Sequence, residues 1–153
     1  MTVRTSATTT FKISAGVPAT FDVAGYAALS YTTVGEVTNL GEFNREFQLT
    51  THNPIDTRGT QKFKGSFNEG TMALQLGLDT DNAGQILMKA AALSDSLYAF
   101  KITTANGDVY YFQGLTMSFK VGINDVNSIT SASSNIEITT SATGVGIVES
   151  LAA

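Results

Sequence analysis

The chain has 153 residues, of which 14% are charged and 35 are Thr or Ser. This length favours one domain, which can bury roughly 70% of its unfolded surface without disulfide support. The absence of cysteine excludes disulfide scaffolds and thiol chemistry, and the net charge of −4 argues against a protein that grips nucleic acid by its phosphates.

The first part of the chain predicts a polar arm followed by short strands. Residues 1–10 are rich in Thr and contain no apolar segment typical of a signal peptide. No run approaches the roughly 20 apolar residues that span a bilayer, so we expect a cytosolic protein, or one within an assembly that is built in the cytosol, with no membrane partner. Phe11–Ile13 predicts a first strand, and residues 29–37 are rich in the Thr, Tyr and Val that favour strands.

The middle of the chain alternates apolar and polar residues on both sides of a polar segment. Phe47 and Leu49 alternate with polar residues, and Phe63 between two lysines predicts an aromatic side chain that points inward. The segment between them lacks periodicity and is long for a hairpin connection, so we predict a long mid-chain loop. Its residues are Thr51, His52, Asn53, Pro54, Ile55, Asp56, Thr57, Arg58, Gly59 and Thr60.

A strand and the one predicted helix follow. Met72, Leu74 and Leu76 occupy alternate positions, which is typical of a strand with one buried face. Residues 82–94 carry apolar side chains at helical spacing, and Asn82 with a glutamine three residues later resembles a capping box.

The next segment predicts a hairpin. Residues 108–121 are nearly all apolar at odd-numbered positions, which favours one long strand. Asn106–Gly107 is the signal of a two-residue type I′ turn. That turn pairs Ile102 with Tyr111, puts the odd-numbered residues on the core face and leaves Phe112 on the opposite face.

The end of the chain predicts one more strand and a tail. Ile136 and Ile138 alternate with polar residues, as expected of a half-buried strand. Residues 144–153 form a tail of small residues whose apolar content is unusual for a free terminus. We expect this tail to dock on another surface.

No pattern in the sequence predicts catalysis or metal binding. His52 is the one histidine, and without cysteine it cannot anchor a common zinc site. Asp79 and Asp81 resemble the start of a calcium loop, but Ala90 occupies the position of the final glutamate. No nucleophile elbow G-x-S-x-G occurs. We therefore expect no catalytic residues, no metal, no cofactor and no enzyme activity.

The composition points instead to association. Natural proteins protect exposed sheet edges with charge or proline, and this chain has two prolines and few charges. We expect open strand edges that pair with neighbouring copies, and a rotational arrangement would close such pairs into a ring.

A resemblance to a known family supports this reading. Residues 44–47 (NREF), followed by residues 56–76 (DTRGTQKFKGSFNEGTMALQL), have the order of a polar loop, an aromatic–glycine pair, a turn and an alternating strand. This segment resembles the major tail tube proteins of long non-contractile-tailed bacteriophages. The likeness in element order extends over residues 29–140 and contains no invariant catalytic motif.

The resemblance implies a fold and a function. The expected fold is mainly β, an antiparallel sandwich or barrel flanked by one helix at 82–94, in a single domain over 1–153 with an arm at 1–10 and a tail at 144–153. Tail tube subunits form rings, usually of six, that stack into a hollow tube in the virion tail. The expected partners are further copies, a tape-measure protein in the lumen, tail terminator and tip proteins, and DNA in transit without specific binding.

Two further expectations concern surfaces. The loop 51–60 corresponds to the segment that reaches adjacent subunits or rings in that family. A DNA conduit needs a neutral to acidic wall, and the candidate luminal carboxylates are Glu36, Glu42, Glu46 and Glu137.

The alternative function is a monomeric carbohydrate- or ligand-binding β-sandwich. It requires an exposed aromatic platform, for which the sequence offers Tyr26, Tyr110 and Phe112.

Overall fold

The computed structural model describes residues 3–152, so residues 1, 2 and 153 of the predicted arm and tail lie outside it. Within this range the chain forms eleven strands and two helices. The strands are β1 (Thr10–Ser14), β2 (Thr32–Val34), β3 (Val37–Asn39), β4 (Glu46–His52), β5 (Gln61–Asn68), β6 (Thr71–Gly77), β7 (Tyr98–Thr103), β8 (Val109–Thr116), β9 (Lys120–Gly122), β10 (Ser131–Thr139) and β11 (Val148–Ser150). The helices are α1 (Val23–Ala27) and α2 (Ala83–Ala92).

Nine strands form one curled antiparallel sheet in the order β2-β1-β7-β8-β10-β6-β3, with β9 beside β10 and β11 beside β8. The two outer strands have three residues each and are joined directly by Gly35 and Glu36. The backbone N–H of Gly77 donates to the carbonyl of Glu36 at 2.8 Å, which fastens this turn to β6. The predicted mainly-β antiparallel fold is confirmed. The edge strands β2 and β3 pair with β1 and β6 and not with each other, so these edges of the main sheet are open, although each is only three residues long. Pairing of these edges with neighbouring copies stays a prediction.

The core lies on the inner face of this curled sheet. Met72, Leu74 and Leu76 of β6 and Ile136 and Ile138 of β10 are all at most 5% exposed. The two strands are in register, so that Met72 faces Ile136 directly. The alternation in the sequence therefore predicts these two strands and their buried faces correctly.

Helix α2 covers the open side of the core and matches the helix predicted at 82–94. Asn82 caps it by accepting the backbone N–H of Gln85 at 3.0 Å. Gln85 does not return this contact as in a capping box. Its buried amide instead donates to the carbonyls of Gly35 and Gly77 at 3.0 and 2.9 Å. The helix start is thereby tied to the turn that joins the sheet edges.

The hairpin of β7 and β8 differs from the predicted register by one residue. Ile102 pairs with Tyr110 and not with Tyr111. Only the glycine of the Asn–Gly pair has a positive φ, and the N–H of Gly107 donates to the carbonyl of Thr104 at 3.0 Å. The connection is thus a three-residue loop with a type I turn and a bulge. A one-residue slip exchanges the two faces of a strand, and Phe112 is fully buried in the core.

The long strand predicted over 108–121 is divided. β8 ends at Thr116, and β9 resumes at Lys120 after a bend at which the N–H of Met117 donates to the carbonyl of Asn135. Both parts pair with β10, which therefore pairs with β9 along its first residues and with β8 along its last ones.

The short helix α1 is absent from the sequence prediction, which had one helix. It has five residues, too few to produce a helical period, and its N-cap Asp22 accepts the N–H of Gly25 at 2.8 Å. It places Tyr26 in a second apolar cluster with Tyr111 and Tyr31, on the outer face of β7 and β8. The rings of Tyr26 and Tyr111 stack with centroids 5.7 Å apart.

The C-terminal tail docks on its own chain. β11 pairs with β8, and the N–H of Ala152 donates to the carboxylate of Asp108 at 2.8 Å. Described residues 3–9 of the N-terminal arm contain no strand or helix, and Thr10 already belongs to β1.

The tyrosine cluster predicts an alkaline loss of stability. Burial raises the pKa of Tyr26 to about 12, and burial together with the charges of Tyr111 and Tyr26 raises the pKa of Tyr31. The folded state therefore holds protons that the unfolded state has released, so the free energy of unfolding falls as pH rises above about 10. Urea unfolding between pH 8 and 12 measures this slope.

The variant Tyr26→Phe is the matched control for that slope. The hydroxyl of Tyr26 in the natural chain has no hydrogen-bond partner among the described residues, so its removal breaks no hydrogen bond. The variant should keep the wild-type stability at pH 8 within about 1 kcal/mol and should lose less stability on titration to pH 12. An unchanged slope in this variant would contradict the assignment.

Candidate assembly surfaces

The hairpin of β4 and β5 stands apart from the main sheet. The two strands pair only with each other and form a separate two-stranded sheet. Every residue of both strands is exposed except Phe67, which is half-buried. A hairpin without a core leaves its apolar side chains in contact with water, so this element is the natural candidate for contact with another molecule.

One face of the hairpin is both apolar and positively charged. Cross-strand pairing puts Leu49 opposite Lys64 and Phe47 opposite Phe67 on the same side. The Nζ of Lys64 lies 4.8 Å from the centre of the Phe47 ring, a cation–π contact. We call this side the basic face, and it consists of Arg45, Phe47, Leu49, Thr51, Lys62, Lys64 and Phe67.

The predicted inward position of Phe63 is wrong. Phe63 is 54% exposed, and Leu49 is 66% exposed. A shift in register between Phe47 and Leu49 places Phe63 opposite Thr50, on the side away from the basic face. Alternation of apolar and polar residues is the same for a strand on a core and for a hairpin awaiting a partner, so the pattern alone does not distinguish them.

The predicted loop 51–60 lies at the far end of this hairpin. Thr51 and His52 belong to β4, and residues 53–60, from Asn53 to Thr60, form the connecting loop. Ile55 at this tip is fully exposed. The structure thus places the predicted loop at the far end of the β4–β5 hairpin.

An ion pair between buried Glu69 and exposed Arg45 lies at the base of the hairpin. Glu69, which follows β5, is 1% exposed, and its Oε1 lies 3.0 Å from Nη2 of Arg45. The guanidinium of Arg45 also stacks over Phe67 at 4.0 Å from the ring centre. Neither carboxylate oxygen of Glu69 has a hydrogen bond in the described part of the chain, so Arg45 supplies its charge compensation. Gly146 of the tail passes so closely over Glu69 that a side chain there would collide with it.

A second apolar surface lies beside α2. A groove of about 270 Å³ separates the helix from β9, and exposed Ile86 and Val121 stand on its two sides. The segment that follows β9 adds Ile123, Val126 and Ile129, each more than 75% exposed. The sequence analysis did not identify this α2–β9 groove, because the apolar residues after β9 show neither helical nor strand periodicity. The one available signal was the number of apolar residues in this segment.

The four candidate luminal carboxylates fall in different places. Glu36 and Glu42 lie in connections between strands and Glu46 on the hairpin, so only Glu46 and Glu137 are carried by strands as expected. Glu137 lies on the outer face of β6 and β10 and accepts the hydroxyl of Thr71 at 2.6 Å. We call this side the hydroxyl-rich face. Its members are Thr71, Ala73, Gln75, Ser131, Ser133, Asn135 and Glu137.

The described residues contain no group of three His, Asp or Glu side chains that could hold a metal ion. Among residues 3–152, no helix is long and apolar enough to cross a bilayer. His52 is exposed at the end of β4.

Comparison with known proteins gives structural matches only. No protein-family model matches the chain, and no curated protein sequence is significantly similar. The chain is similar to one in the cryo-EM structure of the sheath/tube terminator of an extracellular contractile injection system (PVC) in the extended state, with a TM-score of 0.69, 6% identity and 99% coverage of both chains. It is also similar to a chain in the cryo-EM structure of the anti-feeding prophage baseplate, 6-fold symmetrised, with a TM-score of 0.65, 9% identity and coverage of 91% of this chain and 93% of that one.

A type six secretion system protein matches at a TM-score of 0.45 and 10% identity, over 94% of this chain and 91% of that chain, a likeness too low to support an argument. The two better matches establish that the chain has a fold found in contractile injection systems and their baseplates. They support the tail-tube type of fold that the sequence resemblance implies, and they do not single out a non-contractile tail.

The ion pair at the hairpin base yields a prediction on stability. Arg45→Ala leaves the buried Glu69 carboxylate without its counter-charge and should lower the free energy of unfolding by roughly 1–2 kcal/mol, less than for a pair buried on both sides because Arg45 is 38% exposed. The double variant Arg45→Ala/Glu69→Gln also lacks the stacking on Phe67 but carries no buried charge. It should regain most of the loss in urea unfolding, and a double variant no more stable than Arg45→Ala would refute this account.

Proposed function

We propose that this protein is a non-catalytic structural subunit that polymerises as stacked rings into the hollow tube of a phage tail. The tube would serve as a conduit for genome ejection. The observation that carries the proposal is the projecting β4–β5 hairpin, whose exposed Phe47, Leu49 and Phe63 have no partner surface in the described chain. On the fully exposed tip, Ile55 adds a further apolar side chain.

The fold supports rings as the form of assembly. One of the similar chains comes from a baseplate solved with six-fold symmetry, and we propose rings of six here. The main sheet supports the same view, because its edge strands are short and association falls to the hairpin and to side-chain surfaces.

The hydroxyl-rich face is our candidate for the lumen wall. Hydroxyl, amide and methyl groups carry no charge, and Glu137 is the one carboxylate among them. Lys120 of β9 pairs with Ser133 and adds one exposed ammonium group to the same face. With one charge of each sign the face has no net charge, and a wall without net positive charge gives phosphates little to bind, as a channel for DNA requires. Within the tube we propose a tape-measure protein before ejection and DNA in transit, with terminator and tip proteins at the ends. The assembled tube would belong to the virion tail and would form in the host cytoplasm.

The alternative, a carbohydrate-binding sandwich, loses its aromatic platform. Tyr26 and Phe112 are fully buried, and Tyr110 is half-buried against the main core. No other observation favours that function.

Tube formation and its dependence on the hairpin are tested together. Purified protein should form rings or tubes by negative-stain electron microscopy. Replacing residues 53–60 by Asn–Gly should leave the thermal unfolding of the domain within a few degrees of wild type and abolish tube growth, because the tip contacts no core residue. Wild-type protein that stays monomeric at high concentration would refute the tube, and unchanged polymerisation of the shortened variant would refute the role of the tip.

The lumen wall is tested by charge reversal. Six copies of Glu137→Lys would line each ring with cations that bind phosphates, so tubes of this variant should retain nuclease-protected DNA that is released as salt rises from 50 to 200 mM. Asp95→Lys makes the same charge change at an exposed position in the connection between α2 and β7, neither of which contributes to the hydroxyl-rich face, and should retain none. Equal protection by both variants would remove the hydroxyl-rich face as the wall.

A further inference from the structure

We propose that the basic face of the β4–β5 hairpin of one copy binds in the α2–β9 groove of a neighbouring copy. This inference rests on the proposed function, since it names the surface that receives the hairpin during assembly. The two surfaces are distinct parts of the chain, so the contact is head-to-tail. Such a contact generates rings when the rotation closes and stacked or helical polymers when it does not.

The first argument is apolar complementarity. The groove is lined by Leu78, Ile86, Phe119 and Val121, and its volume of about 270 Å³ is of the size that a few side chains fill. Leu49, 66% exposed, projects from the centre of the basic face. Burying such side chains against one another contributes roughly 25 cal/mol for each Å² of apolar area removed from water.

The second argument is the extent of the apolar surface. The segment after β9 carries exposed Ile123, Val126 and Ile129, and its end is held at the groove, because the N–H of the lining residue Leu78 donates to the carbonyl of Thr130 at 2.9 Å. The hairpin offers Phe47 beside Leu49, so both surfaces extend past one side chain. Contiguous exposed apolar surface of this kind marks an interaction site in a folded protein.

The third argument is charge. The basic face offers the free charges of Lys62 and Lys64, since the charge of Arg45 is compensated by Glu69. On the other side, Asp79 lines the groove and Asp81 follows it before the start of α2, while Lys89 is the one cation of the lining. Opposite charges around an apolar centre favour this pairing over contact between two like surfaces.

The fourth argument is that the hairpin has no such partner within its own chain. β4 and β5 hydrogen-bond only to each other, and their described apolar residues Leu49 and Phe63 remain more than half exposed. A second copy is therefore the occupant that matches the chemistry on both sides.

Cysteine cross-linking tests the contact directly, because the natural chain has no cysteine. The double variant Leu49→Cys/Ile86→Cys should form a ladder of covalent multimers when assembled protein is oxidised, since a disulfide requires Cα atoms within about 7 Å. The control Thr50→Cys/Ile86→Cys carries its hairpin cysteine on the opposite face and should give little ladder. All three positions are exposed, so the variants should fold.

Charge exchange gives an independent readout. Lys62→Glu/Lys64→Glu should raise the concentration needed for assembly by about tenfold or more, and adding Asp79→Lys/Asp81→Lys should restore it to within about threefold of wild type. Circular dichroism checks that each variant is folded.

The outcomes separate the two proposals. Wild-type tubes without a ladder in the Leu49→Cys/Ile86→Cys variant, or without rescue by charge exchange, would overturn the docking site and leave the tube function standing. No tubes from the wild type would overturn both. Loss of DNA binding without any effect on assembly in the Lys62→Glu/Lys64→Glu variant would assign the basic face to nucleic acid and overturn the proposal.

Discussion

The orientation of the β4–β5 hairpin depends on the buried carboxylate of Glu69 at the base of this hairpin. A two-stranded hairpin is marginally stable in water and has no means of holding its own direction. Glu69 restricts the orientation of the hairpin, because its buried carboxylate pairs with Arg45 at the hairpin base. The tail packs on the same carboxylate at Gly146. An ion pair with a buried partner adds little net stability. Orientations of the hairpin that separate the two charges have a higher free energy, because they leave the Glu69 carboxylate buried and unpaired.

The second constraint is the connection between two edge strands of the main sheet. Gly35 and Glu36 link β2 to β3, which pair with β1 and β6 and not with each other. Gln85 donates to the carbonyls of Gly35 and Gly77 and so holds this connection against the end of β6. The surfaces that we propose for association, namely the hairpin, the α2–β9 groove and the hydroxyl-rich face, are other parts of the chain.

Sequence reasoning succeeded where local and tertiary preferences agree. The alternation around Met72 and Ile136 and the capped helix after Asn82 each have one physical solution, because one face must be buried and one end must be capped. It failed in the register at Gly107, where the same Asn–Gly pair fits two turn types and a slip of one residue moves Phe112 from outside to core. Only packing against the rest of the sheet decides between those turns.

The candidate surfaces could be predicted only in part, because a local sequence pattern does not show what a segment packs against. The segment 51–60 was correctly separated from its neighbours by its lack of period, although β4 extends through His52. Phe63 was misassigned, because a strand with an exposed apolar residue has the same alternating pattern as a strand that packs on a core. The α2–β9 groove joins residues that are distant in sequence, and no local pattern marks it.

The three-residue strands at the two ends of the main sheet have a consequence for the life of the free molecule. Newly made copies present almost no length of unpaired backbone on which a foreign strand could lengthen the sheet. The outer edges of β4 and β5, seven and eight residues long, are by contrast unpaired in the described chain. Addition of a strand from another chain is therefore favoured at the hairpin and disfavoured at the main sheet.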